Sequence, residues 1–308
     1  MNLVVNSISD AGAAEVVGFD CRSIHDTADQ RWGDIQAAFA ANPILCFRDQ
    51  SLSAKEQARF ARLWGALEAQ DRSAYCNPDD KDVLILSNER NADGSQVGIV
   101  DAGDFWHSDS SHMKNPCRMT MLHALKNPAQ GGDTHYMNLT QVYEALPLTL
   151  KRAINGRNGI HHISKTLNPR VSVSEERQGA KEYYIKHAKQ TPPALQPLVR
   201  THPDTGRSAL YASPRFTIGI DGMADTEAQN LLDELFEFMF SSQSWMYDHK
   251  WRDGDFVIWD NACLNHMAGG GYQYPDTRRM HRTTVAGGPA FFRTDRAPAA
   301  EETGNTNS

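Results

Sequence analysis

The 308-residue chain has few cysteines, and their arrangement predicts no covalent framework. The five are Cys21, Cys46, Cys76, Cys117 and Cys263. Their number is odd and no two form a CxxC pair, so the sequence predicts neither a disulfide scaffold nor a cysteine-based zinc motif. A reducing compartment fits this pattern, and we expect a cytoplasmic protein.

The sequence also lacks the features of secreted, membrane and nucleic-acid-binding proteins. Residues 1–5 carry no basic segment and lead into no long apolar stretch, so we predict no signal peptide. No window approaches the roughly 18 apolar residues of a membrane span. The net charge is -7 and no dense run of Lys and Arg occurs, which argues against a nucleic-acid partner. We predict a homo-oligomer that acts on a small molecule.

Short apolar segments separated by turns predict a mainly β fold with flanking helices. Helices are predicted over residues 29–41, from Ser53 onward with Glu56 completing a capping box, and over 224–240. Strands are predicted at 44–47, 83–86, 119–125, 256–259 and 282–286. The core is expected to be a double-stranded β-helix (jelly roll), because that fold brings distant strands together.

We expect a single domain over residues 1–295. The polar, aperiodic stretch from 170 to 194 predicts a mobile insert near 165–195. Residues 296–308 are small, polar and rich in Glu and Pro, and they predict a disordered tail.

Residues 105–111 read FWHSDSS and carry the first candidate site. In an extended backbone, residues i and i+2 point to one face, so the side chains of His107 and Asp109 can converge. The pair alone is a weak signal, since a histidine bonded to a neighbouring aspartate is common.

A third ligand is available in residues 259–266, which read WDNACLNH and end at His266. It lies 159 residues beyond His107 (266 minus 107). Two imidazoles and one carboxylate form the ligand set of non-haem Fe(II) oxygenases. A zinc hydrolase can use the same three groups, and a binding protein with a decayed site is a third alternative.

Basic residues follow closely after His266. An Fe(II) oxygenase needs electrons from a co-substrate such as a 2-oxo acid, whose distal carboxylate suits the planar fork of arginine. Arg278 and Arg282 share one strand face, Arg279 points away, and the glycines at 269–271 can fold this strand back toward the metal. Thr134, in the sequence GGDT, offers a hydroxyl for the same carboxylate. The alternative is that these arginines lie on a strand exposed to solvent and bind no co-substrate.

Together these motifs resemble the TauD/TfdA family of Fe(II)- and 2-oxoglutarate-dependent dioxygenases. The resemblance rests on WHSDSS at 106–111, GGDT at 131–134, WDN and His266 within 259–266, and RRMHRTTV at 278–285. It extends through FARLWGALE at 60–68 and PLVRTHP at 197–203, and covers roughly residues 10 to 293. The motifs are closer to the aryloxyacetate side of the family.

The resemblance implies Fe(II), 2-oxoglutarate and O2 as cofactor and co-substrates. It implies that His107, Asp109 and His266 bind the metal and that Thr134 and Arg278 bind 2-oxoglutarate. Family members have two arginines four and five residues before the last arginine, whereas here they stand three and four before it. The in-phase residue is therefore Arg278.

The implied reaction is hydroxylation of a small organic acid, such as an aromatic or aryloxy carboxylate, with release of succinate and CO2; the same chemistry on a taurine-like sulfonate is the alternative. We expect Arg282 to bind the substrate's anionic group, because an unpaired guanidinium in a water-poor pocket requires an anion. Other candidates for substrate contact, each with core packing as the alternative, are Arg72, Tyr75, His112, Phe105 and Tyr211. His202 is expected to contact residues of the site without contacting the metal or the substrate.

Overall fold

The computed structural model describes residues 3–69, 73–100, 102–164 and 180–293, with residues 180–184 described by their backbone alone. The strands are β1 Val4–Ser9, β2 Ala13–Val17, β3 Ile44–Phe47, β4 Leu84–Ser87, β5 Met119–Lys126, β6 Thr134–Asn138, β7 Asn158–His161, β8 Ala194–Pro197, β9 Val199–Thr201, β10 Ser208–Leu210, β11 Thr217–Ile220, β12 Met246–His249, β13 Phe256–Asp260, β14 Leu264–Ala268 and β15 Arg279–Val285. The helices are α1 Gln30–Ala41, α2 Ala54–Arg62, α3 Leu139–Ala145, α4 Leu148–Ile154, α5 Ala180–Gln190 and α6 Asp225–Met239.

Local sequence signals explain where the early helices begin. The Asp29 side chain accepts a hydrogen bond from the backbone N–H of Arg31 and starts α1. Ser53 and Glu56 form the predicted capping box at the start of α2, which satisfies backbone donors that the first helical turn leaves free. Both predicted helices are therefore confirmed to within one residue.

The largest sheet has seven strands in the order β1-β2-β3-β13-β5-β15-β4. Alternate residues of β13 face opposite sides of it, as the two-residue period of a strand requires. Phe256 and Ile258 pack with the aromatic side chains of α1 and α2, including Trp32 and Phe60. Val257 and Trp259 pack into a second core on the other face of the sheet.

That second core lies between the large sheet and a three-stranded sheet of order β12-β6-β14. Thr134 begins β6, His266 lies in β14, and Arg282 lies in β15 of the large sheet. The two sheets therefore bring side chains that are far apart in the sequence to opposite sides of one interior. Two further small sheets, β11-β7-β8 and β10-β9, complete a mainly β fold.

The last strand begins at Arg279, three residues earlier than predicted, because it pairs with both β4 and β5 from that residue onward. In the stretch predicted as a mobile insert, residues 180–190 form α5, and residues 165–179 lie outside the described residues, as does the tail from 294. No helix in the described part of the chain is long and apolar enough to cross a membrane.

Candidate metal centre

The candidate metal centre forms where the loop before β5 meets β14. The backbone N–H of His107 donates to the carbonyl of His266 at 3.0 Å, and the N–H of His266 donates back to His107 at 2.8 Å. This isolated antiparallel bridge fixes the two imidazole rings with their centroids 4.3 Å apart. Residues 159 positions apart are thus held side by side by main-chain hydrogen bonds.

Asp109 completes a triad of potential ligand atoms. Its Oδ1 lies 3.3 Å from His107 Nε2, and its Oδ2 lies 3.5 Å from His266 Nε2. Adjacent ligands of an octahedral metal, each at roughly 2.1 Å from the ion, stand about 3 Å apart. The three side chains are buried and close enough to contact one ion.

The protonation states of the two histidines suit ligation. His107 Nδ1 lies 2.6 Å from the carbonyl of Phe105, so the proton belongs on Nδ1 and the lone pair of Nε2 faces Asp109. Burial and the neighbouring His107 lower the pKa of His266 to about 3. Both rings are therefore able to present neutral nitrogen atoms toward one point.

Two further side chains hold the Asp109 carboxylate. Thr120 Oγ1 donates to Oδ2 at 2.7 Å, and Arg282 Nη2 lies 2.9 Å from the same oxygen. Burial raises the pKa of this carboxyl, but the Arg282 guanidinium outweighs burial and holds the pKa well below its usual range. The expectation that Arg282 has no protein partner is wrong, because the register of β15 places its guanidinium beside Asp109.

A small inner cavity borders the triad on one side. His107, Asp109 and His266 line it together with Thr134 and Arg278. Arg278 is buried, and none of the ion pairs between described residues involves it. Burial lowers the pKa of this guanidinium, as expected for a cation removed from water.

Arg279 has a different environment. Its Nη1 lies 3.3 Å from Glu89 Oε2, and its side chain is 37% exposed. Arg278 and Arg279 thus differ as their positions in the strand predicted: of the two, Arg278 lines the inner cavity and Arg279 does not.

A second, larger cavity of about 520 Å³, the outer cavity, is lined by His107 and Asp109 of the triad. It shares His107, Asp109 and Arg282 with the inner cavity, and its wall adds Arg215 and Phe216. Arg215 is buried, with its guanidinium carbon 4.8 Å from the centre of the Phe105 ring and 5.2 Å from that of Phe216. Its Nη1 also lies 3.4 Å from Asp104 Oδ1.

His112 lines the same outer cavity. Its ring lies 4.6 Å from that of Phe216, and its Nδ1 is buried with no hydrogen-bond partner among the described residues. Burial, with Arg215 nearby, lowers the pKa of His112 to about 4. The outer cavity therefore combines two guanidinium groups, a neutral imidazole and an aromatic wall.

Other predicted substrate contacts lie elsewhere. Tyr75 packs against the hydrophobic core and is not among the described residues that line either cavity. Tyr211 is buried against His161 and Arg200. Arg72 lies outside the described residues.

His202 supports the loop that leads into β14. Its Nε2 donates to Asp260 Oδ2 at 2.9 Å, while its Nδ1 accepts from the backbone of Asp204 and Thr205. Arg118 forms an ion pair with Asp260, and Asp260 accepts from the N–H of Ala262 at 2.8 Å. His202 therefore acts on the shape of the loop before His266.

Four residues of this region were not predicted from the sequence: Thr120, Asn261, Arg215 and Trp251. Asn261 is part of the WDN motif, and its Nδ2 donates to Thr120 Oγ1 at 3.0 Å. Trp251 donates from Nε1 to Thr134 Oγ1 at 2.9 Å. Only Asn261 had a sequence signal, since the others come together through strand register.

Two other groups of potential ligands occur among the described residues, Cys46–His249–Asp255 and His202–Asp260–Cys263. Each contains a buried cysteine in place of a second imidazole, and in each an arginine pairs with the carboxylate, as Arg282 does with Asp109. Burial also raises the pKa of both thiols, which disfavours the thiolate that a metal needs. Neither group contributes to the two cavities beside Asp109, so the triad is the strongest candidate.

Comparison with known proteins gives consistent similarities. Residues 6–284 match the family described as taurine catabolism dioxygenase TauD, TfdA family. The chain is 31% identical over 294 residues to an alpha-ketoglutarate-dependent 2,4-dichlorophenoxyacetate dioxygenase from Cupriavidus pinatubonensis, covering 92% of this chain and 98% of that protein. It is 31% identical over 268 residues to an (S)-phenoxypropionate/alpha-ketoglutarate-dioxygenase from Sphingobium herbicidovorans, covering 86% and 89%. The crystal structure of AAD-2 in complex with Mn(II) and N-oxalylglycine is similar with a TM-score of 0.74 and 25% identity, over 94% of this chain and 99% of that one.

Proposed function

The chain belongs to the TauD/TfdA family, and from that premise we propose that it hydroxylates a small organic acid at the cavity beside Asp109. It is a 2-oxoglutarate-dependent non-haem iron dioxygenase. The observation that carries the proposal is that two cavities border the proposed metal ligands, each with an arginine of its own, Arg278 in the inner one and Arg215 in the outer one. The inner cavity suits the co-substrate and the outer cavity suits the substrate.

We propose that His107, Asp109 and His266 hold Fe(II). Two neutral imidazoles and one carboxylate form the donor set that this metal takes in such enzymes, and the bond from His107 Nδ1 to Phe105 is the outer contact that orients a ligand histidine. Bound Fe(II), together with 2-oxoglutarate and O2, supplies the oxidising power for C–H hydroxylation, with release of succinate and CO2. A zinc hydrolase would have no use for the buried cation in the inner cavity.

Thr134 and Arg278 are proposed to bind the distal carboxylate of 2-oxoglutarate. Both are buried at the end of the inner cavity, and their side chains offer one hydroxyl donor and a planar set of N–H donors. A dicarboxylate would supply the ion-pair partner that Arg278 lacks among the described residues. The chain's contribution here is to orient the co-substrate and exclude water.

The primary substrate is proposed to be an acid whose anionic group binds between Arg282 and Arg215. Arg282 already contacts Asp109 through one nitrogen, but a guanidinium carries five N–H donors and can bind a second anion. Phe216 and the stacked His112 offer a surface for a flat apolar group. The substrates named for the two relatives, a phenoxyacetate and a phenoxypropionate, combine such a ring with a carboxylate.

A taurine-like sulfonate is the second candidate substrate, because the family description names taurine catabolism. The same two guanidinium groups would receive a sulfonate. The aromatic wall distinguishes the candidates, since a short aliphatic sulfonate would leave Phe216 and His112 without contact.

The arrangement of the sheets supports a jelly-roll core. We propose that the large sheet and the β12-β6-β14 sheet are its two walls, because they enclose one hydrophobic core and the triad lies at its edge. A cytoplasmic location and a homo-oligomeric state remain predictions from the sequence.

The test is succinate release with Fe(II), ascorbate, O2 and 2-oxoglutarate against a panel of phenoxy acids, benzoates and aliphatic sulfonates. We expect the fastest release with an aryl or aryloxy carboxylate. Analysis of the metal content should show bound iron. Fastest release with a short sulfonate would favour the second candidate. No stimulation by any organic anion would contradict the proposed substrate class.

A further inference from the structure

Trp251 contacts both residues proposed to bind the distal carboxylate. Its indole Nε1 donates to Thr134 Oγ1 at 2.9 Å, and the guanidinium carbon of Arg278 lies 5.9 Å from the centre of its ring. Trp251 is not among the described residues that line the inner cavity. It therefore stands behind Thr134 and Arg278, on the side away from a bound ligand.

The hydrogen bond determines where the hydroxyl proton of Thr134 can point. An indole N–H only donates, whereas a hydroxyl both accepts and donates one hydrogen bond. Because Thr134 accepts from Trp251, its own proton is free to point into the cavity. The guanidinium carbon of Arg278 lies at the outer limit of the roughly 6 Å range of cation–π contacts with the indole ring, so one side chain contacts two donors.

Trp251 is itself held in place by its neighbours in the chain. The ring of His249 meets it edge-on at 4.5 Å and 80°. His249 is buried, with Nε2 3.1 Å from Asp255 and Nδ1 3.0 Å from the Tyr247 hydroxyl. Since His249 pairs with Thr134 in the β6–β12 register, the tryptophan and the threonine belong to one rigid unit.

We infer that Trp251 is a positioning residue that gives the site its preference for a 2-oxo acid with a distal carboxylate. This inference rests on the proposed function, in which Thr134 and Arg278 bind that group. Trp251 does not touch the ligand. It acts by keeping the Thr134 hydroxyl available as a donor to the ligand. Its ring face also keeps the guanidinium plane of Arg278 oriented toward the same ligand group.

The test is the binding of two acids to Mn(II)-loaded protein, measured by calorimetry without O2. 2-Oxoglutarate has the distal carboxylate, and 2-oxobutyrate has the same chelating end without it. Trp251→Phe keeps the ring face but removes the N–H. We expect it to weaken 2-oxoglutarate binding roughly two- to twelvefold, the range for loss of one hydrogen bond, and to leave 2-oxobutyrate binding unchanged.

Trp245 provides a matched control, because its indole also donates a buried hydrogen bond, to the Met239 carbonyl at 2.8 Å. Trp245→Phe should leave the affinity for both acids unchanged. The path of the effect is tested in a Thr134→Val background, where Trp251→Phe should produce no further loss. A purely structural role would make the two losses add.

A second measurement needs no tryptophan variant. In Zn(II)-loaded, 15N-tryptophan-labelled protein, the chain gives six indole signals. The one that moves in Thr134→Val should also move on adding 2-oxoglutarate and stay in place on adding 2-oxobutyrate.

The outcomes separate this inference from the proposed function. If the wild-type protein fails to bind 2-oxoglutarate, the proposed function itself is wrong. If it binds but Trp251→Phe binds equally well, or loses both acids equally, the positioning role is overturned. The positioning role is also overturned if the indole signal that moves in Thr134→Val does not move on adding 2-oxoglutarate.

Discussion

Arg282 Nη2 lies 2.9 Å from Oδ2 of Asp109, so the cation of the last strand is bonded to the carboxylate proposed to bind metal. The sequence places these residues 173 positions apart (282 minus 109); β15 pairs with β5, and Thr120 of β5 bonds to the same carboxylate. The contact leaves Oδ1 facing His107. We therefore propose two roles for Arg282, to orient Asp109 and to contact the substrate.

The first prediction follows from this contact. Arg282→Met should lower Mn(II) affinity about 10- to 100-fold, the usual loss when an outer partner of a metal ligand is removed. Calorimetric titration with Mn(II) measures this without turnover. Arg279→Met is the control, since Arg279 pairs with Glu89, and it should retain wild-type affinity. Equal affinities in the two variants would show that Arg282 does not support Asp109.

The second prediction concerns the co-substrate. Arg278→Ala should weaken 2-oxoglutarate binding by about 2–5 kcal/mol, because it removes one partner of a buried charge pair. Arg279→Ala should cost less than about 1 kcal/mol, as expected for a partly exposed pair. The measurement is 2-oxoglutarate binding to the Mn(II)-loaded protein. A larger loss in Arg279→Ala than in Arg278→Ala would show that Arg279, and not Arg278, faces the co-substrate.

The third prediction concerns Arg215, which sequence reasoning missed. Arg215→Met should lose about 1.5–3 kcal/mol of affinity for an acidic substrate, the range for a charged hydrogen bond, while Mn(II) affinity stays at the wild-type level. The measurement compares an acid with its primary amide. We expect the wild-type preference for the acid to shrink in this variant. An unchanged preference would remove Arg215 from the substrate site.

The fourth prediction concerns stability. Burial disfavours ionisation of Asp260, but Arg118 and His202 outweigh it and hold the pKa of its carboxyl well below its ordinary value. A lowered folded-state pKa stabilises the protein above the unfolded value of about 3.9, and this contribution is lost as the pH falls below it. Asp260→Asn should lower the free energy of unfolding by about 3–5 kcal/mol near neutral pH, and by less in acid.

Urea unfolding from neutral pH into acid measures the difference in free energy of unfolding between the wild-type protein and Asp260→Asn. Asp248, whose side chain is 59% exposed and contacts His135, is the control, and Asp248→Asn should have a small effect at every pH. A destabilisation by Asp260→Asn that does not shrink below about pH 4 would contradict the assigned ionisation.

The metal triad and several helices were predictable because their signals are local or depend on residue type. Ser53 and Glu56 stand three apart and form their capping box within one turn. His107 and Asp109 stand two apart on an extended segment, where a shared direction follows from backbone geometry. His266 was identified because few side chains other than histidine complete that ligand set.

The contacts that adjust the site were not predictable, because they depend on register between distant strands. Trp251 reaches Thr134 across 117 positions through the β6–β12 pairing, and a one-residue shift would turn either side chain to the other face. The sequence also could not distinguish an aromatic residue in a cavity from one in the core. Tyr75 and Phe216 differ in this way, and only their packing shows it.

The most direct test of the central claim is the visible absorption of the protein with Fe(II) and 2-oxoglutarate in the absence of O2. We expect a charge-transfer band for the wild-type protein and for Arg279→Ala. We expect no band for Asp109→Ala, which lacks a proposed metal ligand but should keep its fold by circular dichroism. A band of wild-type intensity in Asp109→Ala, or none in the wild-type protein, would contradict the assignment of His107, Asp109 and His266 as the iron site.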